Sequence, residues 1–295
     1  MIKIAACVVL YNPEDIVFEN ILTYGKLVDK LIVVDNSLKK NNLLIDKLNK
    51  FFESTMVYID NNDNLGIATA LNKACDKAIE LQFKWILTMD QDSAFINFEH
   101  YKKCLESVKE FPKVALLAAN TDKEGFSTFD KDNLDCSYRD DKFSVITSAN
   151  IVNLDYFEEI GRFEDKLFID MVDYDYCLRI NMKKFKILYF PNVFVEHKLG
   201  EVHLRTNIFT RKKKYKTEHN SQRAYYIARN YLYVAKKYGK YFPKDVGMLH
   251  ILNIVFIHDV TKILIYEIDK WNKLKAKVIG MYHFLINKYG KYDLK

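Results

Sequence analysis

Short apolar runs alternate with helical patterns over the first half of this chain. Such runs, when continuous and bounded by polar residues, are typical of strands buried in the middle of a protein. The runs that predict strands are 4–10, 31–34, 56–59, 85–89, 114–119, 145–152 and 187–190. Between the third and fourth, residues 67–81 keep one apolar helical face. This alternation predicts an α/β fold with a doubly wound, mostly parallel sheet.

The second half of the chain is predominantly helical in its pattern. Helices are predicted over 171–184 and 221–238, and an amphipathic pattern continues beyond Pro243 to about residue 290. We expect an α/β domain at 1–210 and a basic amphipathic helical extension at 211–295. The most apolar segment, 249–266, is interrupted by His, Asn, Asp and Lys, so we expect no membrane-spanning helix.

Composition places the chain among globular proteins, with 49% apolar residues in a total of 295. The short apolar N-terminus indicates a first strand rather than a signal peptide. Five scattered cysteines without Cys-x-x-Cys spacing favour a reducing compartment and no zinc site.

Charge is distributed unevenly along the chain. Residues 1–197 carry 24 basic and 32 acidic side chains, a net −8, whereas 198–295 carry 21 and 7, a net +14. A basic tail predicts an anionic partner, for which nucleic acid, an anionic membrane and a phosphorylated substrate all qualify.

Polar residues follow each of the first four predicted strands. They are Tyr11 and Asn12, then Asp35, then Asn64 and Gly66, and finally Asp90 and Asp92. Each group alone is more often a turn or a helix cap, but parallel strands would gather all four at one edge of the sheet, where ligands bind. The paired carboxylates of Asp90 and Asp92 suit a hard divalent cation holding a diphosphate. Together the groups predict a nucleotide pocket.

Later candidates are three aspartates and a histidine. Asp170 and Asp173 would share one face of a helix, while Asp175 would point elsewhere. Aspartate in a first helical turn is also ordinary capping chemistry. A lone histidine is more often structural, but beside an Asp-x-Asp edge His197 could complete a metal site.

Taken in order, these motifs resemble those of glycosyltransferase family 2, which has the GT-A fold, and within it the bacterial rhamnosyltransferase-like members. The resemblance runs from residue 1 to about 235. It rests on the ordered series Val33–Ser37, Asn64–Gly66 with Asn72, Leu87–Ser93, Gly161–Asp175, His197–Gly200 and Arg229–Asn230. Two departures are Val172, where many members have Glu, and Ser148-Ala149-Asn150, where Ser-Gly is usual.

The resemblance implies a role for most of the candidates. Asp35 would bind a pyrimidine base, with Tyr11 and Asn12 lining the same pocket. Asp90 would face the ribose or stand behind the metal, and Asp92 with His197 would hold Mg²⁺ or Mn²⁺ against the donor diphosphate. Asp173 would be the catalytic base of an inverting reaction.

The function expected from the resemblance is transfer of a sugar, rhamnose from dTDP-rhamnose, to a saccharide acceptor in bacterial surface polysaccharide synthesis. The acceptor would be linked to a lipid diphosphate. The enzyme would be cytoplasmic, with its basic extension at the anionic inner face of the cell membrane. A solvated helical cap or a dimer surface is an equal alternative for that extension.

Two other functions remain open from the sequence. The donor could be a UDP sugar, such as galactofuranose or a hexose, on the same fold. Alternatively, the basic run 211–216 could bind nucleic acid phosphates, although the acidic sheet edge would repel a polyanion unless it held metal.

Overall fold

The computed structural model describes residues 2–121, 135–197, 202–206, 211, 213–217 and 219–294. The chain divides into two compact units. The first, here called the sheet unit, comprises Met1–Glu164 and Asp173–Lys198. The second, the helical unit, comprises Asp165–Val172 and Leu199–Lys295. The predicted boundary at 210 stays a prediction.

The sheet unit is built on a mixed sheet of eight strands. In chain order these are β1 Ile4–Leu10, β2 Lys30–Asp35, β3 Met56–Asp60, β4 Trp85–Asp90, β5 Ser93–Phe95, β6 Val114–Asn120, β7 Asn150–Asn153 and β8 Lys186–His197. Their spatial order is β3-β2-β1-β4-β7-β6-β8-β5. β7 is antiparallel to both neighbours and β5 to β8, while the other pairs are parallel. The predicted α/β class and mostly parallel sheet are confirmed.

Within the described residues, six α-helices accompany the sheet along the chain. They are α1 Ile16–Gly25, α2 Asn42–Phe52, α3 Ile67–Glu80, α4 Phe98–Val108, α5 Phe157–Ile160 and α6 Val172–Met182. Every residue of β1 is buried, as expected for a parallel strand covered by helices on both faces. One apolar cluster joins the inner strands to α1, α2 and α4. This core fixes the ends of the strands, from which the polar loops project.

Two strands differ from their predicted bounds. The run at 145–152 forms a strand only from Asn150, because Ala149 has a φ of 65° and so cannot be extended. β8 does not stop at residue 190 but continues through Pro191 to His197. The register against β6 shifts beside this proline, which has no N–H to give to a ladder. His197 is therefore the last residue of a strand rather than part of the following loop.

The helical unit contains one hairpin and several helices. Its strands are β9 Val202–Thr206 and β10 Lys213–Thr217, and its helices are α7 Ser221–Tyr238, α8 Pro243–Val246, α9 Met248–Leu252, α10 Asp259–Tyr266 and α11 Lys270–Leu285, with a π-helical stretch at Asn253–His258 between α9 and α10. α7 matches the helix predicted at 221–238. Residues 198–200 of the predicted His-Lys-Leu-Gly motif lie outside the described residues, as does Lys212 of the basic run. The nucleic-acid alternative for that run stays a prediction.

The Arg229–Asn230 motif organises the helical unit. Both side chains are fully buried. Arg229 donates to the carbonyl oxygens of Gly290 at 2.8 Å and Leu167 at 3.1 Å, and Asn230 donates to the Leu167 carbonyl at 2.8 Å. A buried guanidinium is tolerated because its donors are satisfied by carbonyl groups. These residues hold the segment 165–172 and the C-terminus to α7.

The helical unit exposes an unusual amount of apolar surface. Leu249 is 84% exposed and Trp271 82% exposed. The helical run Pro243–Tyr266 contains an 18-residue window with a mean hydropathy of 1.6, of which 17% is buried. By length and composition the run could therefore cross a membrane. Meeting these two criteria does not show that the run spans a membrane, so the expectation of no membrane-spanning helix stays a prediction.

Candidate active site

The parallel strands bring the predicted polar residues to one edge of the sheet unit. Tyr11 follows β1, while β2 and β4 end at Asp35 and Asp90. β1 pairs in parallel with both, so that Leu10 lies opposite Asp35 and Val9 opposite Asp90. The ends of these strands therefore form one polar rim.

Asp35 lies fully buried beneath this rim. Its Oδ1 accepts a hydrogen bond from the Ser37 N–H and its Oδ2 accepts one from the Tyr58 hydroxyl, each at 2.8 Å. Burial, and then the bond to Asp35, raises the pKa of Tyr58 well above its ordinary value. A nucleobase that bound to Asp35 Oδ2 would therefore have to use this oxygen together with the Tyr58 hydroxyl. Sequence reasoning missed Tyr58, although a tyrosine in an otherwise apolar strand was a signal.

Tyr11 and Asn12 form the loop that follows β1. The Tyr11 side chain is exposed, and its backbone N–H and carbonyl both bond to the Gln91 side chain, at 2.9 and 3.1 Å. Asn12 has a φ of 46°, and its N–H donates to Ser37 Oγ at 2.8 Å. Gln91, which the sequence reasoning did not select, thus joins the β1 loop to the Asp90–Asp92 loop.

Asn64 and Gly66 shape the entry to α3. Asn64 Oδ1 accepts from the Gly66 N–H at 3.0 Å, and Gly66 has a φ of 87°, which a residue with a side chain rarely adopts. Asn36 donates to the Gly66 carbonyl at 3.1 Å. These bonds fix the N-terminus of α3, where the helix dipole favours negative charge. The role of Asn64 and Gly66 in nucleotide binding stays a prediction. Asn72, further along α3, is structural because it bonds both ways with the Phe163 backbone.

Asp90, Asp92 and His197 converge at the rim. β5 pairs with the end of β8 so that Ser93 lies opposite His197. One possible ligand atom from each of the three residues lies within 4.8 Å of the others, and all three residues are half-buried. His197 Nδ1 is 3.4 Å from Asp92 Oδ1. Two carboxylates and one imidazole within this span fit a divalent cation such as Mg²⁺ or Mn²⁺ that keeps open positions for phosphate oxygens.

Two serines connect these candidate ligands. Ser93 Oγ is 2.7 Å from His197 Nδ1, and Ser148 Oγ is 2.8 Å from Ser93 Oγ. Ser148 Oγ also accepts from the Asp90 N–H at 3.2 Å. A hydroxyl on Nδ1 leaves Nε2 for a metal, which is the usual way that a second ring nitrogen orients a histidine ligand. β5 spans only three residues, too few for a hydrophobic pattern, so the sequence did not predict that Ser93 would lie opposite His197.

A cavity of about 240 Å³ lies in the sheet unit beside Ser148. Asp173 at the start of α6 lines it, together with Lys142, Asn150 and Tyr189. Asp173 Oδ1 accepts from the Tyr174 N–H at 2.8 Å. Lys142 Nζ lies 4.6 Å from the centre of the Tyr189 ring. The cavity therefore combines a carboxylate, a cation and an aromatic surface, which suits a polyhydroxylated ligand.

The other two aspartates of the motif have different surroundings. Asp175 is fully buried, Arg179 donates to its Oδ2 from Nε at 2.9 Å, and Arg179 Nη2 lies 2.7 Å from the same oxygen as an ion pair. Asp170 precedes α6 with a φ of 62° and pairs with Arg223 in the helical unit. The prediction that Asp170 and Asp173 share a helical face is wrong, because the helix begins only at Val172.

Comparisons with known proteins bear on this geometry. No family model matches the chain. The chain is 27% identical over 297 residues to the dTDP-rhamnosyl transferase RfbF of Shigella flexneri, covering 94% of each protein.

Solved structures are similar in fold. S. aureus TarS 1–349 in complex with UDP-GlcNAc matches with a TM-score of 0.52 and 9% identity, over 100% of this chain and 95% of that one. GalNAc-T7 with UDP, GalNAc and Mn²⁺ matches with a TM-score of 0.52 and 12% identity, over 66% of this chain. The match covers 44% of the GalNAc-T7 chain, less than half of its length.

At these identities the solved structures show the fold alone, which confirms the predicted GT-A type. The similarity to a rhamnosyl transferase over nearly the whole chain confirms the predicted resemblance and the predicted enzyme class. The chain is a glycosyltransferase with the GT-A fold, similar to a bacterial dTDP-rhamnosyl transferase.

Proposed function

We propose that this enzyme is an inverting, metal-dependent rhamnosyltransferase that uses dTDP-rhamnose and extends a saccharide of a bacterial surface polysaccharide. The similarity to a dTDP-rhamnosyl transferase over 94% of the chain supports the donor. Its other substrate is a saccharide acceptor that is linked to a lipid diphosphate.

The observation that best supports the proposal is that Ser148 connects the candidate metal ligands with the cavity that contains Asp173. Its hydroxyl accepts from the N–H of Asp90, one of the three candidate ligands, and Ser148 also lines the cavity that contains Asp173. A donor diphosphate at the metal ligands and an acceptor in the cavity would thus meet at one edge of the sheet unit.

Asp173 is the proposed general base. As the acceptor hydroxyl attacks the anomeric carbon, its proton passes to the Asp173 carboxylate, while the bond to the diphosphate breaks on the opposite side. This single displacement inverts the anomeric centre. The Tyr174 N–H on Asp173 Oδ1 fixes the carboxylate in place.

Asp92 and His197 would hold the divalent cation, with Asp90 beside them. When bound, the cation supplies charge that stabilises the departing diphosphate. Ser93 orients the His197 ring, and Gln91 keeps the Asp90–Asp92 loop against the loop that follows β1. Asp35, Tyr11 and Asn12 remain our proposed base-binding residues, with Tyr58 sharing the Asp35 carboxylate.

The helical unit would place the enzyme at the cytoplasmic face of the cell membrane. Exposed apolar side chains such as Leu249 and Trp271 accompany exposed lysines such as Lys244 and Lys275. Apolar groups that enter the interface and basic groups that attract anionic headgroups act together in peripheral binding. A lipid-linked acceptor would be presented at that surface.

One specific observation favours a second donor class. TarS matches over its length in complex with UDP-GlcNAc, and GalNAc-T7 matches in complex with UDP. A UDP-sugar transferase on the same rim is therefore the alternative, since uracil and thymine present the same hydrogen-bonding edge.

A thermal-shift panel separates the two donors. A ligand at 100 times its Kd stabilises the folded protein by about 2.7 kcal/mol. We expect dTDP-rhamnose with Mn²⁺ to raise the Tm more than UDP-galactofuranose, UDP-glucose or UDP-GlcNAc at equal concentration. A larger rise with a UDP sugar would replace the proposed donor, and no rise with any nucleotide sugar would contradict the proposed function.

A further inference from the structure

A second group of metal-type ligands lies in the sheet unit at α4. His100 and Cys104 are one helical turn apart on this helix, and Cys136 comes from the segment 135–138. One ligand atom from each lies within 4.8 Å of the others, and Cys104 and His100 are buried. The Cys104 and Cys136 sulfurs are bonded to each other, and their Cα atoms are 5.0 Å apart. The sequence pattern favoured a reducing compartment and no zinc site, and this arrangement of two cysteines and a histidine is the reason to reconsider the second expectation.

The imidazole already faces the two sulfurs. His100 Nε2 lies 3.4 Å from Cys104 Sγ and 2.9 Å from the Asp135 carbonyl oxygen. The side chain of Asp135 is fixed in turn, because Asn192 donates to its Oδ1 at 2.6 Å. The bond from Asn192 on β8 thus holds the segment that carries Cys136 independently of the disulfide and of His100.

We propose that in the reduced protein His100, Cys104 and Cys136 bind one soft divalent metal ion, Zn²⁺. Two thiolates and one imidazole are typical zinc ligands, with water in the fourth position. Disulfides are rare in a reducing cytoplasm, where paired cysteines are more often metal ligands. The proposal does not depend on the transfer reaction.

The chemistry balances without a further partner. Cellular thiols supply two electrons and two protons to open the disulfide. Binding of Zn²⁺ then releases two protons, one from each cysteine thiol, and neutral His100 binds through Nε2. Once His100 Nε2 binds the metal, it no longer forms its hydrogen bond with the Asp135 carbonyl oxygen.

The remaining cysteines show why this pair is different. Cys7, Cys75 and Cys177 are each fully enclosed, and burial raises the pKa of the Cys177 thiol to about 12. Such thiols stay protonated and bind metal poorly. Cys136 is half-buried, which leaves the cluster a route for an ion.

The site would stabilise one wall of the cavity. Arg139, three residues after Cys136, exchanges two backbone hydrogen bonds with Tyr189, both at 2.8 Å. Tyr189 lines the cavity with Asp173. A metal at Cys136 would hold this segment without the disulfide.

Cobalt substitution tests the proposal on the full chain. The protein is reduced with a phosphine, freed of metal and titrated with Co²⁺, whose thiolate complexes absorb in the near ultraviolet. We expect the thiolate absorption to be complete at one equivalent of absorbing Co²⁺ and to be lost when Zn²⁺ is added. Cys136→Ser should abolish the absorption, and His100→Gln should weaken binding at least tenfold.

Two control variants locate the signal. Cys75→Ser removes a buried thiol outside the cluster, and Asp92→Ala removes a ligand of the other candidate metal site, so both should show the same Co²⁺-thiolate absorption as the wild type. Absence of the absorption in reduced wild type, or its persistence in Cys136→Ser, would overturn the proposal.

A thiol count in the wild type gives a test that does not depend on a variant folding. Cells are lysed directly into denaturant that contains a zinc chelator and an alkylating reagent. We then expect all five cysteines to be alkylated, which shows that each is a thiol in the cell. A count of three would mean a standing disulfide in the cell and would also overturn the proposal.

Discussion

The two units of this chain differ in how they use their apolar residues. In the sheet unit, β1 is buried along its whole length and the rim carries acidic groups, whereas the helical unit leaves Leu249 and Trp271 almost fully exposed among lysines. A unit that buries its apolar surface can present polar groups for chemistry. A unit that exposes apolar surface needs a partner to cover it. The difference predicts that catalysis and surface binding can be disrupted separately.

The largest expected effect is on catalysis in the sheet unit. Asp173→Asn keeps the shape of the side chain but removes the proton acceptor. Turnover should fall by about 10²–10⁴-fold, the usual contribution of a general base, while donor affinity and vesicle binding stay unchanged. Single-turnover transfer and donor affinity are the measurements. Near-full turnover, or an equal loss of donor binding, would place the base elsewhere, with Asp170 as the next candidate.

The matched variant two residues later should act on stability instead. Asp175→Asn weakens a buried pair with Arg179 and leaves that cation poorly compensated. Loss of one partner of a buried pair costs about 3–5 kcal/mol, so we expect a marked drop in the free energy of unfolding. Urea denaturation measures it. A stable Asp175→Asn enzyme with the turnover defect predicted for Asp173 would reverse the two assignments.

The helical unit should respond at its exposed face. Leu249→Ser combined with Trp271→Ser should lower affinity for anionic vesicles at least tenfold, because each buried side chain of this kind contributes about 1.5–3 kcal/mol. Donor binding should not change. Leu43→Ser is the control, since Leu43 is 81% exposed but lies on α2 of the sheet unit.

Flotation at several salt concentrations completes this test. Binding should weaken as salt rises, because exposed charges are screened beyond about 8 Å at physiological ionic strength. Equal binding to neutral and anionic vesicles, or binding to neither, would count against a membrane role and favour the alternative of a dimer surface.

The smallest expected effect is at Ala149. Its left-handed backbone costs about 1–2 kcal/mol, which Ala149→Gly would relieve. Glycine lowers the stability by about the same amount, because a buried methyl group is lost and the unfolded chain becomes more flexible. We expect a stability change within about 1 kcal/mol and unchanged transfer. A large loss of activity with unchanged stability would assign the methyl group a role in the cavity wall.

The sequence predicted the nucleotide side of the rim better than the rest. Parallel strands buried on both faces read as continuous apolar runs, so the ends of β1, β2 and β4, and with them Asp35 and Asp90, could be located. The extension of β8 to His197 could not, because Pro191 ends the apolar pattern. Pairing of Cys104 with Cys136 joins residues 32 apart and leaves no local signal.

The metal and acceptor sides depend on contacts between distant residues. Ser93, Ser148 and Tyr58 were not predicted, because each matters through a hydrogen bond to a residue far along the chain. Sequence patterns report local periodicity, so they reveal which strand carries an aspartate but not which hydroxyl faces it.

The central claim is that the rim binds a nucleoside diphosphate through a divalent metal. Calorimetric titration of dTDP into the wild type with Mn²⁺, and again with the metal chelated, tests it most directly, with Asp92→Ala in parallel. We predict binding that needs Mn²⁺ in the wild type and is lost in Asp92→Ala, whose half-buried carboxylate at the rim contributes little to packing. Equal affinity with and without metal, or unchanged metal-dependent binding in Asp92→Ala, would contradict it.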